Sequence, residues 1–398
     1  HCYNVKSNYT SSAFRSYDVW YANYKWIANV NYIIDAEPEM AGTEADVAYV
    51  AGQAYAIRAL CYLNLATWFS RAPYNSLTGA SRWNEPCVPV YTTGTSIDTG
   101  GQPRESLRTV YGRIDQDIDR AIELLEKARE TTLAENNKSH INLYVALGIK
   151  SRACLAEGDW DGAFKAAKRV IDEGGYAVGT KSDLTGGMNS LDKQNVMWGA
   201  GIQVADQAGG YAGFFTHMDN KEGAYAKSAP KLISKQLYNR ISATDIRRDW
   251  WDPSDKESPY VSKKFSFANV ASFLGDYIYM RVEEMYFTAA EAALRLDDLK
   301  SARELMNTVM AERDPGYSAN NRSGTLLGAT TTTWTGSFLE NILTHRRIEL
   351  WGEYGRLFDV RRLGQGIDRR TDDGFSEECI SMMNRRNVNI TKADTYDW

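Results

Sequence analysis

The chain has 398 residues, of which 43% are hydrophobic and 24% are charged, and its formal net charge is −5. This composition is ordinary for a globular protein. The sequence contains no run of five basic residues, which argues against nucleic acid as a partner. It also lacks an apolar run of about 18 residues, so no membrane-spanning helix is predicted.

The cysteines and histidines predict neither a disulfide framework nor a metal site. There are 5 Cys, an odd number, and 4 His, and no CxxC motif or metal-ligand spacing occurs among them. Cys61 and Cys154 lie among Ala and Leu and are predicted to be small core residues. Cys87 lies in a Pro-containing loop, where it could form a disulfide but needs no partner. We therefore expect no metal and no cofactor.

The first residues, HCYNVKSNYT, have neither the basic nor the apolar region of a signal peptide. Cys2 is not in a recognisable lipidation context. We therefore expect a mature or trimmed form of the protein.

Helical periodicity dominates the first half of the chain. Helices are predicted at residues 16–37, 44–69 and 105–129, and a helical hairpin at 142–175. The helix at 44–69 is rich in alanine, which lets a second helix approach closely. The loop at 73–103 carries many Gly and Pro, and a structureless connection of that length is usually functional.

The middle of the chain, residues 176–266, alternates glycines with aromatic residues. We predict loops and short strands there, around a short helix near 231–239. Helical order returns at 277–313, which is predicted to form a second hairpin.

The two hairpins align with each other at their turns. Gly158-Asp159-Trp160 superposes on Asp297-Asp298-Leu299, and the small residues Ser151 and Ala290 precede the two turns at matching positions. This pattern resembles the tetratricopeptide repeat of about 34 residues. The predicted fold class is therefore mainly α, a right-handed array of tetratricopeptide-like helical hairpins with a loop-rich irregular region that carries short strands.

The densest run of structured charge lies at 341–364. If the run is one helix, Leu343, Leu350 and Leu357 share an apolar stripe with further residues, and charged side chains lie directly beside it. Half-buried charges must be paired. We therefore interpret the charges as a structural ion network, and we expect Glu353→Ala to destabilise the fold by about 3–5 kcal/mol. Its predicted members are Arg346, Glu349, Glu353, Arg356, Asp359 and Arg362.

The alternative interpretation of this run is an active site. Two carboxylates about 5 Å or about 6.5–9.5 Å apart can hydrolyse a glycosidic bond, and Glu349 and Glu353 have suitable spacing on a helix. However, Arg346 and Arg356 flank the pair, and arginines lower the carboxyl pKa that a general acid needs to be high. No phosphate-binding loop, nucleophile motif or zinc signature occurs.

Six motifs then follow one another along the chain. They are Tyr24-x-x-Ile27-x-x-x-Asn31; Tyr55-Ala-Ile-Arg58-Ala59-Leu-Cys-Tyr62 followed by Pro73; Val110-Tyr111-x-x-Ile114-x-x-Asp117-Ile118-x-x-Ala121; Asp245-Ile-Arg247-Arg248; Arg281-x-x-Glu284-Met-Tyr286-Phe-x-x-Ala290-Glu291-Ala292; and Arg346-Arg347-Ile-Glu349-Leu-Trp-Gly-Glu353-Tyr-Gly-Arg356-Leu-Phe358-Asp359-Val-Arg361-Arg362. In this order, they resemble the SusD/RagB family of outer-membrane nutrient-binding lipoproteins. Members of that family usually start with a signal peptide and a lipid-bearing Cys and end with a W-x-x-P-I-P element. Neither occurs in this sequence, and we expect trimmed ends.

The resemblance implies a single SusD-like domain over residues 1–398. Its helical scaffold would comprise 16–175 and 277–364, and its ligand-binding loops 73–103 and 176–266. It implies a non-catalytic oligosaccharide-binding lipoprotein on the outer-membrane surface, attached only by a lipid anchor. Such a protein serves polysaccharide utilisation by delivering its ligand to a SusC-like TonB-dependent transporter. A RagB-like peptide receptor with the same partner is the alternative, and a tetratricopeptide scaffold that binds a partner peptide is a third possibility.

Sugar rings have apolar faces that stack on Trp and Tyr, and their hydroxyls need a few polar partners. Loops on a rigid scaffold can supply both. The candidate ligand residues are the aromatics Trp83, Trp198, Tyr211, Phe215, Trp250 and Trp251 and the polar residues Asn84, Asp219 and Asn220. Trp198 could equally belong to a buried strand. Trp250 and Trp251 cannot both face the ligand if the chain is extended there, so at least one of the two is predicted to be structural.

Overall fold

A computed structural model describes residues 14–131, 133, 137–203 and 213–368, with residues 14–17 described for their backbone alone. Within these ranges the chain is mainly α-helical, as predicted. The long helices of the first half are α1 (Phe14–Ala36), α2 (Glu44–Phe69), α3 (Leu107–Lys127), α4 (Leu143–Glu157) and α5 (Trp160–Glu173). The helices of the last part are α10 (Val282–Arg295), α11 (Leu299–Ala311), α12 (Phe338–Glu349) and α13 (Arg356–Leu363).

The described part of the middle region, 176–203 and 213–266, contains short elements. With the strand that follows the region, they are α6 (Lys181–Thr185), β1 (Val196–Ala200), α7 (Phe214–Met218), α8 (Ala224–Ser228), α9 (Lys235–Tyr238), β2 (Trp251–Asp252), β3 (Val261–Ser262) and β4 (Tyr277–Arg281). The predicted short helix is present as α9, whereas α6, α7 and α8 were not predicted. The strands form two small antiparallel sheets, β1 with β4 and β2 with β3.

Side-chain caps explain why the long helices begin where the sequence indicates. Thr43, Ser106 and Asn142 each accept a hydrogen bond from the backbone N–H three residues ahead. Each cap contributes about 1 kcal/mol by satisfying an N–H group that has no partner within the helix. The helix boundaries are therefore local properties of the sequence.

The helices stack as an array in chain order from α1 to α5, and α10 then packs on α5, α11 and α12. The close approach expected of the alanine-rich helix is confirmed at Gly52. A Cβ atom added there would lie 2.9 Å from Cγ of Leu125 on α3. Such a distance is too short for any side chain, so glycine allows α2 and α3 to touch.

The two predicted hairpins, α4–α5 and α10–α11, have equivalent turns. Gly158 and Asp297 adopt positive φ angles of 77° and 61°. Asp159 and Asp298, the next residue in each turn, cap the following helix through their carboxylates. The alignment of the two turns in the sequence is therefore confirmed.

Residues 277–281 were predicted to belong to the second hairpin, and this is wrong. They form β4, which pairs with β1 from Val196 opposite Arg281 to Ala200 opposite Tyr277. The helix begins only at Val282. Backbone pairing with a distant strand determines the secondary structure of this segment, because the local preference of its residues is weak in comparison.

The prediction of a single helix over 341–364 is also wrong. The chain forms α12 and α13, separated by a turn at 350–355. Gly352 and Gly355 have φ angles of 76° and 123°, a region that residues with a Cβ atom rarely adopt. Lys264 Nζ donates to the Glu349 carbonyl at 2.7 Å and to the Trp351 carbonyl at 2.8 Å, and so satisfies backbone oxygens that the broken helix leaves open.

Glu349 is the centre of a buried ion cluster. Its carboxylate contacts Arg247 at 3.1 Å, Arg281 at 3.0 Å and Arg313 at 3.0 Å, and all four side chains are buried. Glu353 in the turn pairs with Arg281 at 2.8 Å and also with Lys264. The two glutamates thus share Arg281, which joins the turn to β4.

A second cluster adjoins α13. Arg346 pairs with Asp359 at 3.0 Å and with Glu284 at 3.3 Å, and Arg362 pairs with Asp359 at 2.8 Å and with Glu291 at 2.7 Å. Most partners of both clusters therefore come from outside 341–364, which neighbour rules within one helix cannot predict.

Arg356 was predicted to belong to this network. In the part of the chain that the structure describes, it makes no ion pair, but its charge still helps to lower the pKa of the Asp359 carboxyl. The reason for the missing ion pair is the break between α12 and α13. Arg356 is the first residue of α13 and does not lie one helical turn beyond Glu353.

Replacing Glu349 with alanine should lower the free energy of unfolding by about 3–5 kcal/mol, because three buried guanidinium groups lose their shared partner. Urea denaturation measures this change. The matched control is Asp161→Asn, in an exposed pair with Lys165, and it should leave the unfolding midpoint unchanged because exposed pairs contribute little. Equal midpoints for the two variants would contradict the role assigned to Glu349.

Stability should also fall in acid. Burial alone would raise the pKa of Glu349, but the charges of Arg313, Arg281 and Arg247 outweigh it and hold the pKa well below its ordinary value of 4.5. The pKa of Asp359 is lowered in the same way by Arg346 and Arg362, against the effect of burial.

A carboxyl whose pKa is lower in the folded state contributes stability above its unfolded pKa and loses it as the pH falls through the folded pKa. Urea midpoints from about pH 7 to about pH 3 should therefore decrease below about pH 4.5. Glu349→Gln cannot ionise at this position, so its midpoint should depend less steeply on pH. An equally steep dependence in this variant would exclude Glu349 as a source of the acid sensitivity.

Candidate functional site

A large cavity lies between the first two helices and the β1–β4 sheet. Its volume is about 710 Å³, within the usual size range of small-ligand sites. We call it the central cavity. Its lining residues are Trp26, Asn29, Val30, Ile57, Leu60, Cys61, Asn64, Arg152, Met188, Trp198, Phe214, Phe265, Tyr277, Ile278, Tyr279, Gly352, Glu353 and Tyr354.

Aromatic rings from several separate elements line this cavity. Trp26 on α1 is 52% exposed, and Tyr279 on β4 is 41% exposed. Trp198 on β1 is half-buried, and its ring centroid lies 5.0 Å from that of Tyr279 in an edge-to-face arrangement. The Trp198 indole N–H points to the Ser139 carbonyl at 3.4 Å, which fixes the orientation of the ring. The cavity therefore offers positioned aromatic faces that remain accessible.

The charged groups of the cavity are already compensated. Arg152 donates two hydrogen bonds to Glu284, at 2.9 Å and 2.6 Å, and its guanidinium lies 3.9 Å from the Tyr354 ring centroid. Glu353 is held by Arg281 and Lys264. A ligand would thus meet fixed ion pairs and no isolated charge among these lining groups.

Two uncharged polar groups in the lining make no hydrogen bond to the protein. Among the described residues, the Asn29 side chain is exposed and makes none, and the buried Tyr354 hydroxyl makes none either. Burial raises the pKa of Tyr354, so its hydroxyl stays protonated at neutral pH and remains a donor. An unsatisfied buried hydroxyl costs about 1–3 kcal/mol, and a polar ligand or water can remove that cost.

Of the aromatic residues predicted from sequence to bind the ligand, Trp198 lines the central cavity. Trp250 and Trp251 do not fit their predicted role, because they are only 2% and 1% exposed. The chain is not extended at Trp250, which ends a 3-10 turn, and its indole N–H donates to the Leu184 carbonyl at 2.8 Å. Both rings pack in a small core with Leu237.

Phe215, Asp219 and Asn220 are also structural, contrary to prediction. Phe215 is buried in an aromatic core with Phe265 and Phe267. The buried Asp219 carboxylate accepts backbone N–H groups, including that of Phe267 at 3.0 Å. The Asn220 side chain joins two backbone segments through hydrogen bonds. Its partners are the Lys231 N–H at 2.8 Å and the Ser262 carbonyl at 2.7 Å. The polar atoms of Asp219 and Asn220 are therefore occupied by hydrogen bonds within the protein.

The remaining candidates lie elsewhere. Trp83 is half-buried in the loop, with its ring edge-to-face against Tyr111 at 6.0 Å and beneath Arg108 at 5.6 Å. Asn84 is exposed. Neither lines the central cavity, and a ligand role for them stays a prediction. Tyr211 lies outside the described residues.

Sequence reasoning missed Trp26, Tyr277 and Tyr279. Trp26 gave no sequence signal of exposure, because at about 100° per residue it lies about 20° from Ile33 and about 40° from Val30, on the apolar side of its predicted helix. Tyr277 and Tyr279 alternate with other residues, which is typical of a strand, but the segment was assigned to a helix.

The two glutamates considered for catalysis do not fit a glycosidase pair. A general acid needs a raised pKa. Arg281 and Lys264 lower the pKa of Glu353 against the effect of burial. The pKa of Glu349 is lowered further, by its three arginines, also against the effect of burial. The described residues also contain no group of three His, Cys, Asp or Glu side chains that could hold a metal ion. No helix among them is long and apolar enough to cross a membrane.

Two sequence models of one protein family match the chain. A model described as "SusD family" matches residues 219–397. A model described as "Starch-binding associating with outer membrane" matches residues 2–155. No curated protein matches the chain in a sequence comparison.

Solved structures agree with these matches. A SusD-like carbohydrate binding protein from Bacteroides vulgatus ATCC 8482 is 28% identical, with a TM-score of 0.73 over 90% of this chain and 72% of its own. A SusD superfamily protein from Bacteroides thetaiotaomicron VPI-5482 is 21% identical, with a TM-score of 0.73 over 95% of this chain and 83% of its own.

A third structure, surface glycan-binding protein A from Bacteroides uniformis, is 18% identical, with a TM-score of 0.62 over 87% of this chain and 74% of its own. At 21% and 18% identity the second and third structures show a common fold alone. The family models and the fold agree along most of the chain, and the protein belongs to the SusD/RagB family.

Proposed function

We propose that this protein is a non-catalytic glycan-binding protein of the cell surface, which delivers oligosaccharide to a SusC-like TonB-dependent transporter in the outer membrane. The family membership supports the role. The central cavity supports the ligand class. The proposal depends on its aromatic rings, the exposed Trp26 and Tyr279 and the half-buried Trp198.

The chemistry of this cavity suits a neutral sugar. The C–H faces of a sugar ring stack on Trp and Tyr, and the uncharged Asn29 and Tyr354 side chains can bond its hydroxyls. A peptide terminus or charged side chain would need an opposite charge, but Arg152 and Glu353 are already paired. A neutral oligosaccharide is therefore favoured over a peptide.

Trp26→Ala and Trp198→Ala should each weaken oligosaccharide binding about tenfold, the equivalent of one stacking contact of about 1.4 kcal/mol. Isothermal titration calorimetry with a panel of soluble neutral glycans measures this change. Trp83→Ala is the matched control, because it removes a half-buried tryptophan outside the cavity and should leave the affinity unchanged.

Two results would correct the proposal. Loss of binding in Trp83→Ala, with binding retained in Trp26→Ala, would move the site to the 73–103 loop. Binding of peptides from a library, with no glycan bound, would replace the sugar by a peptide.

A bound glycan should remain intact. Chromatography of the glycan after prolonged incubation with the wild-type protein should show no shorter products, because both glutamates are ionised in ion pairs. Turnover that disappears in Glu349→Gln, at a temperature where circular dichroism shows the variant folded, would establish an enzyme.

A further inference from the structure

A second aromatic cavity lies on the opposite side of α1 from the central cavity. Its volume is about 340 Å³, and we call it the loop cavity. Its lining residues are Trp20, Tyr24, Ile27 and Ala28 from α1 and Pro89, Tyr91, Thr95, Ser96 and Thr99 from the long loop. Part of the wall is thus a helix, and the rest is a segment without regular secondary structure.

This loop segment is fixed to α1 by hydrogen bonds. The Asn31 side-chain amide donates to the carbonyls of Tyr91 at 3.2 Å and Thr93 at 2.9 Å. The Tyr24 hydroxyl donates to the Pro89 carbonyl at 2.7 Å, and Asp35 accepts the Gly94 N–H at 2.7 Å.

Arg58 adds a buried anchor. It donates to the Thr92 carbonyl at 2.9 Å and to Asn31 at 2.7 Å, while Asp117 on α3 neutralises its charge at 2.7 Å. Because buried polar groups hold both sides of the loop cavity, its shape is largely preformed. A preformed cavity loses little entropy when it binds a ligand.

The rotation of α1 places the two cavities on opposite faces. Successive residues turn by about 100° around a helix. Trp20 and Tyr24 therefore face the loop cavity, whereas Trp26 lies about 120–160° away from them and faces the central cavity.

Two exposed tyrosines occupy the face of α1 between the cavities. Tyr21 and Tyr32 are 52% and 55% exposed. They are eleven residues apart, which is close to three helical turns, so they share one stripe. Asn29 lies about 80° from Tyr21 around the helix axis, towards Trp26. The exposed face between Trp20 and Trp26 thus carries two tyrosines together with Lys25, whose ammonium lies 6.0 Å from the Tyr21 ring centroid.

A helix face with a cavity on either side suits a chain of linked sugar rings better than a flat partner. A helix with its side chains is about 10–12 Å across, so a few rings laid end to end can pass over it. A protein surface or a bilayer would contact the exposed tyrosines but would not enter recesses on both sides. Uncharged groups such as Asn29 and the Thr95 hydroxyl can bond sugar hydroxyls along this path.

We propose that the loop cavity and the central cavity are two subsites for one neutral oligosaccharide, which crosses the exposed face of α1 between them. This inference rests on the proposed function and extends it to the ligand's length. The protein then selects oligosaccharides long enough to fill both cavities.

Calorimetry with a length series of one linkage, from disaccharide to hexasaccharide and longer, tests the inference. The wild-type affinity should rise about tenfold or more once both subsites are filled, because the second contact is intramolecular. Ala28→Phe places a ring in the loop cavity and should remove this gain while the disaccharide affinity stays unchanged. Tyr21→Ala, at an exposed position that does not endanger folding, should reduce the gain.

Trp26→Ala should instead weaken binding at every length, because it alters the central cavity. Trp68→Ala is the matched control. This tryptophan is exposed on α2 and lines neither cavity, so the affinity should not change at any length.

The outcomes separate this inference from the proposed function. An affinity independent of length, with binding lost in Trp26→Ala, overturns the second subsite and leaves the glycan-binding function intact. An equal loss for short and long ligands in Ala28→Phe and Tyr21→Ala also overturns it. A complete absence of glycan binding overturns both.

Discussion

One buried carboxylate, that of Glu349, meets three arginines that come from widely separated parts of the chain. Arg247 belongs to the middle region, Arg281 ends β4 and Arg313 follows α11. Burying any one of these charges alone would be unfavourable. Each arginine also pairs with another carboxylate, so removing Glu349 would leave the buried cluster short of one negative charge. The cluster therefore specifies how the middle region and the second hairpin fit against α12, in addition to any stability it contributes.

The same cluster shapes the central cavity. Arg281 connects Glu349 to Glu353, and the latter lies in the turn that forms part of the cavity wall. The strand that ends at Arg281 carries Tyr277 and Tyr279 on that wall. The aromatic residues are therefore held by elements that the ion pairs join together. A binding site supported in this way is preorganised, which favours affinity because little order must be created on binding.

Charge and ligand binding are thus divided between different parts of the molecule. The glutamates that resemble a catalytic pair are held ionised inside the scaffold, where they stabilise its geometry. The surfaces suited to sugars carry aromatic rings and uncharged polar groups on α1, β1, β4 and the long loop. This division is consistent with the proposed capture of a ligand.

The sequence by itself determined the long helices, their caps, the two equivalent hairpins and the structural character of the charged run. These features depend on neighbours within a few residues, as at Thr43 or Asp159. Only the tertiary structure decided that β4 is a strand, that the helix breaks before Arg356 and that Trp26 is exposed while Trp251 is buried. Local composition cannot distinguish these two tryptophans, because exposure depends on which distant segments pack over each ring.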